Sequence, residues 1–267
     1  QPSEGQLLVD VTYAGINYID TYYRSGTYPS NPPYIPGTEG CGRVVEDPKG
    51  EIAPGTLVAW HAAPGSYAEQ VAVDRNRLVA VPEGVDPAVA ASMLLQGMTS
   101  HYLLHGVRET KPGDTMVVTA GAGGVGLILT QMAAAEEATV YSVVSSDEKE
   151  KLAYEAGATK VFRYGDSLAD DIIAENGGAG VDVIYDGVGN DTFDFALNVT
   201  RPRGLVCSFG SASGDVEPFK IQELNKHGSL FLTRPSLTHY VADNDEFLMR
   251  AQAVARAVDD GTVKMRI

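Results

Sequence analysis

The sequence predicts an α/β protein in which a β-rich part precedes a doubly wound parallel sheet. Three observations carry this. Short apolar runs broken by Gly and Pro fill the chain to about Pro82. Beyond Met98, strand-like runs alternate with helical stretches, the pattern of βαβ units. A glycine-rich turn stands between the first of those strands and the first of those helices.

In chain order, "LLVDVTYAGI", "GCGRVVE", "GTLVAW", "SYAEQVAV" and "RLVAVP" read as strands of a barrel or sandwich. "DPAVAASMLLQGMTSHYLLHGV" reads as a helix, with Asp86 as N-cap and Pro87 at the first helical position. Strands follow at "DTMVVTA", "TVYSVVS", "KVFRY", "VDVIYDGV", "GLVCSFG" and "GSLFLTRP". Helices fall at "GVGLILTQMAAAEEA", "SDEKEKLAYEAGA", "SLADDIIAENGG" and "NDTFDFALNVT". A last helix, "DEFLMRAQAVARAVDDG", returns toward the first part. The expected domains are residues 1–97 with 235–267, and residues 98–234.

The 267 residues suffice for one large or two medium domains, and 44% hydrophobic residues is ordinary for a globular chain. No run of about 18 apolar residues occurs, so membrane insertion is not expected. The opening "QPSEGQLLVD" has neither the basic nor the apolar region of a signal peptide, and a cytoplasmic location is expected. The chain starts as if inside a domain, and "GTVKMRI" ends inside an apparent strand; trimming at both ends is expected. A formal net charge of −15 argues against nucleic-acid partners, since phosphate neutralisation drives that binding. It suits solubility or a salty habitat. Two cysteines, Cys41 and Cys207, are too few for a four-cysteine zinc site and read as buried thiols in a reducing compartment.

In "VVTAGAGGVGLILTQMA", Gly121, Gly123 and Gly126 fit G-x-G-x-x-G directly after a strand and at the opening of a helix. That context makes the parallel-sheet part a Rossmann domain. Gly121 permits the tight turn, Gly123 lets the backbone approach a pyrophosphate, and Gly126 lets the helix lie close on the sheet. The helix N-terminus offers N–H groups and a positive dipole end to the phosphates. An NAD site ends its second strand in Asp or Glu, which binds the ribose 2′-OH. Here that strand ends in Ser145 and Ser146, followed by Lys149, while Tyr164 ends the next strand beside Arg163. Two hydroxyls, an ammonium and a phenol suit a 2′-phosphate, so NADPH is the expected cofactor. The alternative for Lys149 is a solvated helix residue paired with Glu148 or Glu150.

With "GINYIDTYYRSGTYP" (15–29), "PGTEGCGRVVE" (36–46), "LLQGMTSHYLL" (94–104), "YDGVGNDTF" (185–193), "GLVCSFGSASG" (204–214) and "GSLFLTRPSL" (228–237), the chain resembles the medium-chain dehydrogenase/reductase superfamily. The branch is that of the quinone oxidoreductases, or zeta-crystallin-like proteins. The resemblance implies a β-rich GroES-like catalytic domain beside the Rossmann domain. Zinc-dependent members carry a Cys where this chain has Asn17, a His where it has Thr38, and a Cys where it has Leu95 or Gln96. A catalytic zinc needs three protein N, S or O ligands, so no metal is expected. His101 and His105 stand i, i+4 but lack the Glu of the metalloprotease pattern.

By resemblance, Asn17, Tyr22 and Thr99 line the nicotinamide from the first domain. Gly123, Gly124 and Val125 hold the pyrophosphate. Phe209, Gly210 and Ser211 lie beside the ribose and nicotinamide, and Ser145, Lys149 and Tyr164 meet the 2′-phosphate. Structural roles stand beside these: Asn17 as a turn residue, Tyr22 as a core ring beside Tyr18 and Tyr23, Phe209 as a buried strand residue. Tyr22 is the candidate to hydrogen-bond the acceptor oxygen, with Asn17 beside it and the proton coming from water. Without a Lewis acid, hydride transfer needs an acceptor that is already electrophilic. The expectation is an NADPH-dependent, zinc-independent quinone oxidoreductase. The alternatives are an enone or alkenal reductase on the same scaffold, or a non-catalytic NADPH-binding protein of the zeta-crystallin kind. A homodimer through the apolar edge strand "GSLFLT" is also expected.

Overall fold

The computed structural model describes residues 2–267. The chain divides into two compact units, Gln1–Thr99 with Tyr240–Ile267, and Ser100–His239. The divisions fall a few residues beyond the positions suggested by the sequence.

In the first unit, β1 (Gln6–Ala14) leads into a helix, α1 (Tyr18–Ser25), then β2 (Gly40–Glu46), β3 (Leu57–Trp60), β4 (Gln70–Asp74), β5 (Leu78–Ala80) and α2 (Pro87–Tyr102), in which the unit boundary falls. The strands form one five-stranded antiparallel sheet in the order β4-β1-β2-β3-β5. Its apolar face gathers Leu7, Val9, Val44, Val58, Val71 and Val73 around the fully buried Trp60. The indole N–H donates to Ser66 Oγ at 2.9 Å, so its one polar atom is satisfied.

The helix α1 is absent from a reading of this stretch as strands and turns. Local signals nevertheless place it. The Asp20 carboxylate accepts from the Asn17 N–H at 2.9 Å, half of a capping box. Gly26 closes the helix at φ +80°, the left-handed C-cap that glycine adopts freely. At α2 the expected cap forms: Asp86 Oδ1 accepts from the Ala88 N–H at 2.7 Å.

The second unit runs β6 (Thr115–Val118), α3 (Gly124–Ala135), β7 (Thr139–Val144), α4 (Asp147–Glu155), β8 (Lys160–Arg163), α5 (Leu168–Glu175), β9 (Val181–Asp186), α6 (Phe193–Val199), β10 (Thr200–Ser208), α7 (Gln222–Lys226), β11 (Phe231–Thr233) and α8 (Leu237–Tyr240). The sheet is parallel in the order β11-β10-β9-β6-β7-β8. The chain builds outward from β6 to β8, then crosses back to β9 on the other side of β6. The order therefore reverses between β6 and β9, where doubly wound sheets bind ligands beyond their carboxyl ends. Val117, Val143, Val181, Ile184 and Val206 supply the strand side of the core, and Leu168, Ile172, Phe193, Ala196 and Leu197 the helix side.

Both cysteines are unpaired and buried. Desolvation pushes the Cys41 thiol up to about 12 and raises that of Cys207 as well.

The last helix, α9 (Asn244–Asp259), belongs to the first unit and opens on an Asp243 cap that accepts from Asp245 N and Glu246 N. It meets α2 at Gly97, where a Cβ would lie 2.4 Å from Val254 Cγ1. Glycine in a helix interior costs about 1 kcal/mol relative to alanine, so close packing is the reason to have it there. Gly97→Ala is expected to destabilise the protein by about 1–2 kcal/mol, the overpacking cost exceeding the gain in propensity. Val254→Ala should cost less in the Gly97→Ala background than in the native protein, since the added methyl fills part of the space it leaves. Urea unfolding of the single and double variants checks it, and a Gly97→Ala protein more stable than native would show that the helices part freely.

Candidate cofactor and active site

The turn from β6 to α3 is built around missing side chains. The Gly121 N–H donates to Val143 O at 3.0 Å, and the Gly123 N–H to Ala120 O at 2.7 Å. A Cβ on Gly121 would lie 2.8 Å from Ser142 Cβ, and one on Gly126 would lie 2.5 Å from Ala120 O. Those two glycines are demanded by packing. A Cβ on Gly123 would approach only Ala120 O, at 3.1 Å, so its absence leaves open the space above the turn. Ala120 itself sits at φ +49°, a left-handed conformation uncommon outside glycine. Its N–H donates to Tyr164 Oη at 2.8 Å, which holds the turn in place. The first turn of α3 carries no acidic residue. The N–H groups of Gly124 and Val125 open the helix, and the first N–H groups of any helix lack intrahelical acceptors. Bare backbone, a helix N-terminus and no opposing charge fit a pyrophosphate. The Val125 carbonyl accepts from Ser100 Oγ at 3.3 Å.

At the carboxyl end of β7 a cleft of about 170 Å³ is lined by Ala120, Ala122, Gly123, Val144, Ser145, Lys149 and Tyr164. Four residues expected at the cofactor thus share one wall. Lys149 Nζ donates to Ser145 Oγ at 2.9 Å, rather than pairing within α4 with Glu148 or Glu150. Ser146 is not in the lining. It is the N-cap of α4, and its hydroxyl accepts from the Lys149 N–H at 3.4 Å, so its side chain serves the helix. Tyr164 falls just past β8 instead of within it, and burial raises its phenol above the ordinary value. The cleft offers an ammonium and two hydroxyls and no carboxylate, the donor set for a 2′-phosphate.

Across the reversal of the sheet, Asp186 ends β9 with its carboxylate 1% exposed. It accepts from Thr119 Oγ1 at 2.6 Å, Thr192 Oγ1 at 2.7 Å and the Gly189 N–H at 3.0 Å. Its carbonyl accepts from the N–H groups of Phe209 and Gly210 at 2.8 and 3.2 Å. Gly210 is needed because a Cβ there would lie 2.4 Å from Gly187 O. Arg234 completes the loop, donating to Phe209 O at 2.7 Å and Ser211 Oγ at 3.2 Å. Sequence reasoning passed over Asp186; the available signal was a carboxylate closing the apolar run "VDVIYD".

In the first unit Asn17 is 5% exposed and its amide is engaged at both ends. Its Nδ2 donates to Glu39 Oε2 at 2.6 Å, and its Oδ1 accepts from Gln96 Nε2 at 3.1 Å. Glu39, also missed from sequence, is fully buried. Its other oxygen accepts from the Leu95 N–H at 2.7 Å, and desolvation pushes the carboxyl up to about 7. Tyr22 packs edge-on against Tyr18 at 5.4 Å between centroids and tilted against Tyr28 at 5.2 Å. Its neighbour Tyr23 lines a cleft of about 430 Å³ together with Asp20, Ser30, Tyr34, Ile35 and Thr38. Thr99 is 8% exposed on α2.

The three positions that hold zinc in zinc-dependent members therefore carry an amide bonded to Glu39, a threonine, and a Leu95–Gln96 pair whose N–H and amide serve Glu39 and Asn17. None is a thiolate or imidazole. The His101 and His105 rings lie tilted against each other at 4.6 Å between centroids, and His105 Nε2 lies 3.0 Å from Glu136 Oε1. Among the described residues no three His, Cys, Asp or Glu side chains are grouped to hold a metal.

Two family models match the chain. That of the alcohol dehydrogenase GroES-like domain covers residues 3–83, and that of a zinc-binding dehydrogenase covers residues 124–246. The chain is 36% identical over 274 residues to a quinone oxidoreductase of Pseudomonas aeruginosa, covering 100% of this chain and 84% of the relative. It is 35% identical over 273 residues to a 2-haloacrylate reductase of Burkholderia, covering 98% of this chain and 82% of the relative. Among solved structures, a mycobacterial protein complexed with NADPH superposes with a TM-score of 0.97 at 42% identity, covering 100% of this chain and 84% of that one. The Escherichia coli quinone oxidoreductase complexed with NADPH superposes at 0.96 and 34% identity, covering 100% and 83%.

Glu39 gives the site a pH signature. Its folded value, about 7 against an unfolded 4.5, means that the native state keeps a proton the unfolded chain releases. The stability tied to the neutral carboxyl is full below pH 4.5 and is lost as pH rises to 7. The loss amounts to about 3 kcal/mol. Glu39→Gln cannot ionise, so its stability relative to native should rise by about that amount between pH 4.5 and 8. Urea unfolding at several pH values checks this, and a constant difference would mean that Glu39 is charged throughout.

Proposed function

We propose, from the premise that the chain belongs to the medium-chain dehydrogenase/reductase family and within it to the quinone oxidoreductases, that it passes reducing equivalents from NADPH to a quinone-type acceptor without zinc. The observation that carries the choice of cofactor is the cleft at the end of β7, where Ser145, Lys149 and Tyr164 converge and no carboxylate intrudes. NADPH, when bound, supplies the hydride.

The chain's own residues bind and orient. The turn at Gly121, Gly123 and Gly126, with the N–H groups of Gly124 and Val125, takes the pyrophosphate. Ser145, Lys149 and Tyr164 take the 2′-phosphate, while Ser146 caps α4. Phe209, Gly210 and Ser211, fixed by Asp186 and Arg234, take the ribose and nicotinamide. In the first unit we assign Asn17, Tyr22 and Thr99 to the nicotinamide and the acceptor. The cleft with Tyr23, Tyr34 and Thr38, lined also by Pro29, Pro36 and Pro64, is the acceptor's entry.

A second acceptor class has its own support. The similarity to a 2-haloacrylate reductase favours reduction of an activated carbon–carbon double bond on the same scaffold.

NADPH consumption against quinones, enones and haloacrylates, with and without a chelator, separates these readings. Quinone turnover unchanged by chelator is expected; zinc-dependent turnover would sink the proposal, and an absence of all turnover would leave a binding protein. Lys149→Ala should weaken NADPH roughly tenfold to a hundredfold, the worth of a charge-assisted hydrogen bond of about 1.5–3 kcal/mol, and leave NADH nearly unchanged. Equal loss of both would make the lysine structural.

We also propose a cytoplasmic homodimer joined through β11, the three-residue edge strand on which Phe231 is 65% exposed. Light scattering at micromolar concentration and cell fractionation check the two parts; a monomer, or a chain recovered outside the cytosol, counts against it.

A further inference from the structure

The phosphate cleft lies on an acidic helix. Lys149 is flanked in α4 by Asp147, Glu148 and Glu150, all in the first turn. Carboxylates there suit the helix dipole but repel a phosphate dianion at the same helix end. The structure answers this with one side chain from the neighbouring strand. Arg163, the last residue of β8, places a single Nη2 2.6 Å from Asp147 Oδ1 and 2.7 Å from Glu150 Oε2. Arg163 does not line the cleft, although the next residue, Tyr164, does. Its guanidinium is drawn to the carboxylates on either side of Lys149 in sequence, and Lys149 Nζ is left to Ser145.

We infer that Arg163 is a specificity-determining residue for NADPH that acts at one remove: by holding Asp147 and Glu150 it offsets part of the negative charge in the first turn of α4 and leaves the Lys149 ammonium to the 2′-phosphate. The inference rests on assigning that cleft to the 2′-phosphate. It goes beyond it by making cofactor choice depend on a residue outside the cleft. The same pairing takes up two of the three acids in the first turn of a helix that borders the cleft. NADH lacks the dianion, so its binding does not depend on the shield.

The test is cofactor affinity by fluorescence titration on the full chain, for native protein, Arg163→Gln, and Arg163→Gln/Asp147→Asn/Glu150→Gln. Arg163→Gln is expected to weaken NADPH about three- to tenfold at low ionic strength while NADH stays within about twofold. The loss should shrink at high salt, because the Asp147 side chain is fully exposed and those of Arg163 and Glu150 are partly so. The triple variant should bind NADPH as native protein does. Unchanged NADPH affinity in Arg163→Gln, or equal weakening of both cofactors, overturns the inference. So does a loss that the triple variant fails to repair, since the guanidinium would then be a direct phosphate ligand. Native protein that prefers NADH would overturn the assignment of the cleft itself, a result separate from all of these. Matched melting curves, taken with each variant, separate lost affinity from lost fold.

Discussion

The turn from β6 into α3 has no room for a side chain at Gly121 or Gly126, and much of the second unit follows from that close approach. It lets α3 lie against the sheet, brings Tyr164 within reach of the Ala120 N–H, and aims the start of α3 beyond the carboxyl ends of the strands. On the far side of the reversal, the Asp186 carboxylate ties Thr119 of one loop to Gly189 and Thr192 of the other. A buried carboxylate with these partners is costly to disturb. The turn after β6 and the loop after β9 are therefore anchored in one polar knot.

A chain of net charge −15 that binds a cofactor bearing phosphates needs local exceptions to its own field. The exceptions are of three kinds. Backbone N–H groups at the start of α3 carry partial positive charge that no titration removes. Lys149 supplies a full charge at one point. Two of the three carboxylates in the first turn of α4, Asp147 and Glu150, are paired with Arg163. All three act over a few ångströms, which is why overall acidity and anion binding coexist.

Much of the fold was legible in the sequence because its signals are periodic or local. Alternating strands and helices, the glycine spacing and the Asp86 cap all appear where the residues indicate. The signals for α1 were just as local, Asn17 with Asp20 and then Gly26, but an aromatic-rich stretch among strand-like runs hid them. Residue type alone pointed to Ser145 and Lys149, which line one cleft. The site was not legible where one side chain has two plausible uses. Ser146 and Ser145 are adjacent hydroxyls, yet one caps a helix and the other faces the cleft. Asn17 and Glu39 hold each other over 22 positions of sequence, and Asp147 meets Arg163 across 16. Such pairings arise from tertiary folding and leave no mark on either neighbourhood.

The two thiols carry a chemical consequence for an enzyme of this kind. An acceptor electrophilic enough to take hydride without a Lewis acid is also open to addition by a thiolate. Cys41 and Cys207 are both fully buried and held in their neutral forms by desolvation. A thiol that does not ionise is a poor nucleophile. The fold thus keeps its own sulfur out of reach of self-arylation.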